Sequence, residues 1–130
     1  MKELDVVGAA IVRDGAILCA RRGPGGPLAG LWEFPGGKIE PNELPHDALV
    51  REIREELGCE ISVDANVNSH THSYPFARIT LHTYVCSIVA GDPVPTEHSE
   101  VTWLRPSELH SLDWAPADIP AVTALARRNI

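Results

Sequence analysis

Three glutamates, Glu52, Glu55 and Glu56, stand three and four residues apart in the stretch from Pro45 to Leu57. Residues at that spacing share one face of a helix. Like charges so placed repel by roughly 0.2–0.5 kcal/mol per pair, so the three acids contribute nothing to the helix that carries them. A hard divalent cation reverses the sign of that effect. Magnesium takes oxygen ligands in near-octahedral geometry, usually one or two carboxylates completed by waters and substrate phosphates. The ordinary alternative is a solvated helix face, with Arg51 and Arg54 offsetting part of the charge. The chemistry that such acids could support is splitting of a phosphoanhydride, where bound metal ions neutralise phosphate oxygens and activate water.

The wider spacing tells against a merely solvated face. Gly37 is followed by five residues and Glu43. Seven more lead to Arg51-Glu52-Ile53, then one residue, Glu55-Glu56, one residue, Gly58 and Cys59. This pattern resembles the Nudix box, the signature of the Nudix hydrolases. It departs only at Cys59, where the family usually has an aliphatic residue, and a buried cysteine behaves as a small hydrophobe. The run Trp32-Glu33-Phe34-Pro35-Gly36-Gly37-Lys38 is similar to one in the MutT-type branch. The resemblance implies metal ligation by Glu52, Glu55, Glu56, the Gly36 carbonyl and Glu97, which lies six residues before Trp103. It also implies Mg2+ as cofactor, with Mn2+ as an alternative ion.

Within that set, Glu52, Glu56 and Glu97 are the candidate catalytic acids, and Glu52 is the expected general base with Glu97 as its rival. Arg51 and Glu43 are expected to orient the helix and the preceding loop. Arg22, Phe34, Lys38, Arg78 and Asp118 are the candidate substrate contacts. Asp118 lies in Ala115-Pro116-Ala117-Asp118-Ile119-Pro120, a segment similar to that of CTP- and 5-methyl-dCTP-cleaving relatives. An ionised aspartate only accepts hydrogen bonds, which suits an exocyclic amino group on cytosine or guanine. A helix N-cap is its structural alternative.

Several elements must position these groups. Pro45 suits a first helical turn, Gly58 a left-handed stop, and Ala48, Leu49, Ile53 and Leu57 form the buried stripe of the helix between them. Gly36-Gly37 reads as a turn that only glycine tolerates well. Val6 to Val12, with Gly8 inside, is a nearly continuous apolar run, as in a strand covered on both faces. Asp14-Gly15 signals a tight hairpin, returning through Ala16 to Ala20. Gly23 to Gly30 reads as a loop. Ile61 to Val67 is a short, weakly patterned strand or loop. His70 and His72 would share a strand face, but two imidazoles without a third ligand do not make a zinc site. Arg78 to Val89 and Val101 to Leu104 read as strands. Ser107 could cap a short helix, and Ala121 to Arg128 a final one. Strands and helices in this order predict an α/β chain with a mixed sheet packed between helices. The family resemblance implies the same α/β/α sandwich.

The 130 residues suit a single domain spanning residues 1–130. A net charge of -7 argues against a nucleic-acid polymer held by its phosphates. It does not exclude a phosphorylated substrate reached through bound cations. The three cysteines, Cys19, Cys59 and Cys86, fit neither a disulfide framework nor a zinc site. With Met1-Lys2-Glu3 leading straight into a strand and no apolar run of membrane-spanning length, a cytoplasmic protein without membrane contact is expected. The expected partner is a nucleoside triphosphate, cleaved to a monophosphate and pyrophosphate by a monomer or homodimer. Two readings stay open: a dinucleotide hydrolase of the ADP-ribose type, and a non-catalytic nucleotide-binding module.

Overall fold

The computed structural model describes residues 2–129, so the expectation placed on Met1 lies outside it. The chain runs β1 (Glu3–Arg13), β2 (Ala16–Arg22), β3 (Trp32–Glu33), β4 (Gly36–Lys38), α1 (Pro45–Leu57), β5 (Glu60–Ser73), β6 (Arg78–Ala90), β7 (His98–Leu104) and α2 (Ile119–Ala126). Short 3-10 turns at Pro106–Ser111 and Pro116–Asp118 link β7 to α2. The order β3-β2-β1-β6-β5 forms the main path of the sheet, with β4 added to β1 and β7 to β2. β1 and β6 pair in parallel and the other strand pairs are antiparallel, so the sheet is mixed.

The continuous apolar run of β1 is explained by burial on both faces. Val7, Ala9 and Ile11 join Leu49, Ile53 and Leu57 of α1 in one core. Ala10 joins Ile17, Trp114, Val122 and Leu125 in a second core on the other side of the sheet. The helices thus cover opposite faces, giving the expected sandwich. Asp14 and Gly15 both adopt positive φ, 53° and 77°, as a two-residue turn between right-twisted strands requires. α1 starts at Pro45 and stops at Gly58, whose φ of 68° lets its N–H reach the Arg54 carbonyl.

Some expectations need correction. Gly36 and Gly37 do not sit in a left-handed turn; they form β4, paired with Gly8 and Val7 of β1. Glycine is required there for space, because a Cβ on Gly36 would strike the Val7 carbonyl. β5 is one strand of 14 residues rather than a short strand or loop over Ile61 to Val67. Three register shifts along its pairing with β6 break the period-two pattern that would have revealed it. Ser107 caps nothing: Arg105 holds the cap position, and the Glu108 carboxylate accepts its N–H at 2.9 Å. α2 begins two residues earlier than expected, because Pro120 falls in its first turn, where the missing N–H needs no partner.

Candidate active site

The two sheet ends and the connections around them enclose a cleft of about 550 Å³. Arg22, Phe34, Gly36, Lys38, Glu56, Glu97 and Asp118 all line it. Glu52 stands beside it, with its carboxylate packed so closely on Gly37 that a Cβ there would overlap it. Strand register and helix spacing therefore bring most of the sequence-derived candidates to one place. Two do not arrive. Glu55 points away from the cleft: its side chain is 59% exposed and its carboxylate lies 3.4 Å from Arg51 Nη1. Arg78 is exposed and pairs with Glu3 at 3.4 Å. Its neighbour Ile79 lines the cleft instead, because successive side chains of a strand face opposite ways.

The box helix is aimed by one arginine. Arg51 donates from Nε and Nη2 to the two Glu43 carboxylate oxygens, at 2.8 and 2.9 Å. Its Nη1 donates to Glu52 Oε1 at 2.9 Å, and Nη2 also reaches the Lys38 carbonyl at 3.1 Å. This fork ties α1, the preceding loop and β4 together and fixes the direction of Glu52. The Arg51 hydrogen bonds hold the Glu43 carboxyl down at about 2.

Glu56 is in the opposite situation. Burial, followed by the charges of Glu33, Glu52 and Glu97, pushes its carboxyl up to about 8. Its Oε2 is buried and has no hydrogen-bond partner. A buried, unpaired carboxylate oxygen among other acids is what a divalent cation would satisfy, and oxygen-only donors suit magnesium. Among the described residues no three acidic, histidine or cysteine side chains form a closed cage. Magnesium tolerates that, since waters and substrate phosphates normally complete its shell. Glu100, three residues after Glu97, pairs with Arg21 at 3.6 Å and does not line the cleft.

The far end of the cleft is apolar, walled by Val6, Phe34, Tyr74, Ile79 and Leu81. Asp118 is set into it, 6% exposed. It occupies the N-cap position before α2 but makes no side-chain cap; instead its Oδ1 accepts the Phe34 N–H at 3.3 Å. Burial, then the Glu33 charge, push its carboxyl well above the ordinary aspartate range. The neutral acid this favours donates as well as accepts, unlike the ionised form assumed from sequence. The segment that carries it is stitched down on both sides. The Ala117 N–H donates to Tyr74 Oη at 2.8 Å, and the Ala115 N–H to the Trp32 carbonyl at 2.8 Å.

Sequence reasoning missed three polar side chains of the cleft: Glu33, Tyr74 and His98. Glu33 lay unremarked inside the Trp32–Lys38 run. Its pairing with Ala20, two residues before Arg22, puts it on the Arg22 side of β2, and Arg22 Nη1 donates to it at 2.9 Å. Tyr74 was hidden because the long strand before it was read as broken.

The chain belongs to the NUDIX domain family, whose model matches residues 6–124. Its α/β/α sandwich is that of a Nudix hydrolase. It is 45% identical over 124 residues to a protein of Escherichia coli named CTP pyrophosphohydrolase, across 95% of this chain and 92% of that one. It is 32% identical to the 8-oxo-dGTP diphosphatase of the same organism, across 98% and 99% of the two chains. The solution structure of a MutT protein of the Nudix hydrolase family from methicillin-resistant Staphylococcus aureus superposes with a TM-score of 0.79. Identity there is 48%, over 97% of this chain and 98% of that one.

Proposed function

We propose that this Nudix hydrolase splits nucleoside triphosphates into a monophosphate and pyrophosphate, with a cytosine nucleotide or 8-oxo-dGTP as substrate. One observation carries the reading. A single cleft has acids at one end, Glu56 and Glu97 with Glu52 beside them, and an apolar slot with one buried acid, Asp118, at the other. The relatives named for CTP and for 8-oxo-dGTP support the same two candidates.

At the acidic end, Glu52, Glu56, Glu97 and the Gly36 carbonyl would hold Mg2+, with Mn2+ as an alternative. Glu55 is left as a lesser partner by its outward orientation. The bound cation supplies neutralisation of the phosphate oxygens and activation of water. Glu52, held by Arg51 and Gly37, accepts the proton of the attacking water as its oxygen bonds to phosphorus and the bridging oxygen leaves with the other phosphate. Arg22 and Lys38 offer positive charge to the triphosphate.

At the apolar end, a neutral Asp118 presents one O–H donor and one carbonyl acceptor side by side. Cytosine matches this with N3 as acceptor and its N4 amino group as donor. Oxidised guanine matches with O6 as acceptor and a protonated N7. Unmodified guanine offers two acceptors on that edge, so the Asp118 carbonyl would be left without a donor.

The test is nucleoside monophosphate formation with magnesium from dCTP, CTP, 5-methyl-dCTP, 8-oxo-dGTP, dGTP, ADP-ribose and NADH. Cytosine nucleotides or 8-oxo-dGTP should exceed dGTP. Asp118→Ala should lower kcat/KM for the preferred substrate by about 10- to 100-fold, the worth of a paired base contact. Asp118→Asn, which keeps one donor and one acceptor, should retain most of it. Equal rates for dGTP and 8-oxo-dGTP, with no cytosine preference, would overturn the reading of the slot.

A further inference from the structure

His98 is 5% exposed at its side chain, and nothing in the chemistry described so far uses it. Its placement depends on an irregularity in the sheet. Along β2 and β7, Arg21 pairs with Glu100, but Arg22 pairs with His98, so Ser99 is an extra residue on β7. Such bulges re-aim side chains. Without it Ser99 would face Arg22; with it, His98 does. The bulge is held by the Ser99 hydroxyl, within 3.4 Å of both the Arg21 and Arg22 carbonyls. Three strands then present Glu33, Arg22 and His98 on one face.

The two oxygens of Glu33 are shared between the other two. Arg22 Nη1 donates to Oε1 at 2.9 Å, and His98 Nε2–H donates to Oε2 at 3.0 Å. His98 Nδ1 is buried with no partner. A leucine would fill that space without leaving a buried polar atom unpaired, which is unfavourable. The imidazole is therefore explained by its bond to Glu33.

We infer that His98 is a positioning residue that, by occupying one oxygen of Glu33, keeps this carboxylate from closing on Arg22 with both oxygens. The guanidinium consequently keeps N–H groups directed at the substrate phosphates. With His98 removed, Glu33 is free to turn and engage Arg22 as a bidentate pair, the stronger arrangement for arginine and carboxylate. The donors facing the cleft are then withdrawn. This inference rests on the proposed triphosphate substrate.

The experiment compares kcat and KM of His98→Leu, His98→Gln and the double variant with Glu33→Gln, using magnesium and the best triphosphate of the panel. His98→Leu should raise KM about tenfold, the scale of one lost hydrogen bond to a charged group, with kcat changed less than about twofold. His98→Gln, whose amide still donates, should recover most of the KM. Adding His98→Leu to Glu33→Gln should change KM little, since the two act through one contact. A wild-type KM in His98→Leu, or a tenfold further rise in the Glu33→Gln background, would overturn the inference. Should His98→Leu fail to fold, His98→Asn keeps a donor on a shorter arm and should show the same KM rise. A wild-type protein that cleaves no triphosphate would instead overturn the proposed function beneath it.

Discussion

At the scale of single residues, the site is a set of acids held in unlike states. Glu43, gripped by Arg51, sits at about 2, while Glu56, buried among acids, sits at about 8. The sign of the second shift gives a pH dependence. Without metal, folded Glu56 holds a proton between about pH 4.5 and 8 that the unfolded chain releases, so stability falls as pH rises through that window. Asp118, also raised, acts in the same direction. Glu43 has the opposite slope, complete by the ordinary glutamate pKa. Thermal melts of metal-free protein should therefore show a falling Tm from pH 5 to 8, shallower in Glu56→Gln and largely reversed by added magnesium. A flat profile in wild type, or a variant with an unchanged slope, would remove Glu56 from this role. Glu52→Gln and Glu56→Gln should each lower turnover by at least about a hundredfold, with circular dichroism unchanged. Full rates in both would sink the site assignment.

At the scale of elements, the box works as a splint. α1 is fixed to the sheet by Ala48, Leu49, Ile53 and Leu57 and to β4 by Arg51, so Glu56 lines the cleft and Glu52 stands beside it at a set height. Ile53→Ala should cost about 2–5 kcal/mol in denaturant unfolding, and a loss below about 1 kcal/mol would mean that the helix is not anchored there. The two glycines of β4 should separate stability from activity. Gly36→Ala forces a Cβ into β1 backbone and should lower Tm markedly. Gly37→Ala meets the carboxylate of Glu52 rather than backbone, so turnover should fall while Tm drops less than in Gly36→Ala. The reverse pattern would contradict that reading. These elements differ in how legible they were. α1 could be read from its proline start, its glycine stop and its stripe, all local signals. The bulged strands β5 and β7 were read only in part, because a bulge shifts the alternation on which a strand is recognised. That is also why His98 escaped notice while Glu97, found through family resemblance, did not.

At the scale of the whole molecule, the mixed sheet brings together groups far apart in the chain. Phe34 and Asp118 are linked across 84 positions, and Glu33 and His98 across 65. Sequence identified the acids near one another in the box and, through resemblance, the distant ones. The upward shift of the Asp118 carboxyl emerged only from its burial and the nearby Glu33 charge, which no local pattern encodes. Among the described residues no helix is long and apolar enough to cross a membrane. A cation held as proposed by Glu56, the Gly36 carbonyl and Glu97 would join α1, β4 and the loop before β7, so magnesium should raise the Tm of wild type more than that of Glu56→Gln. The measurement that tests the central claim most directly is phosphorus NMR of the purified chain turning over dCTP and 8-oxo-dGTP with magnesium. The account expects the triphosphate signals to give way to a nucleoside monophosphate and pyrophosphate, with no turnover when the metal is chelated. Release of inorganic phosphate and a diphosphate, or no cleavage of either triphosphate with metal present, would contradict it.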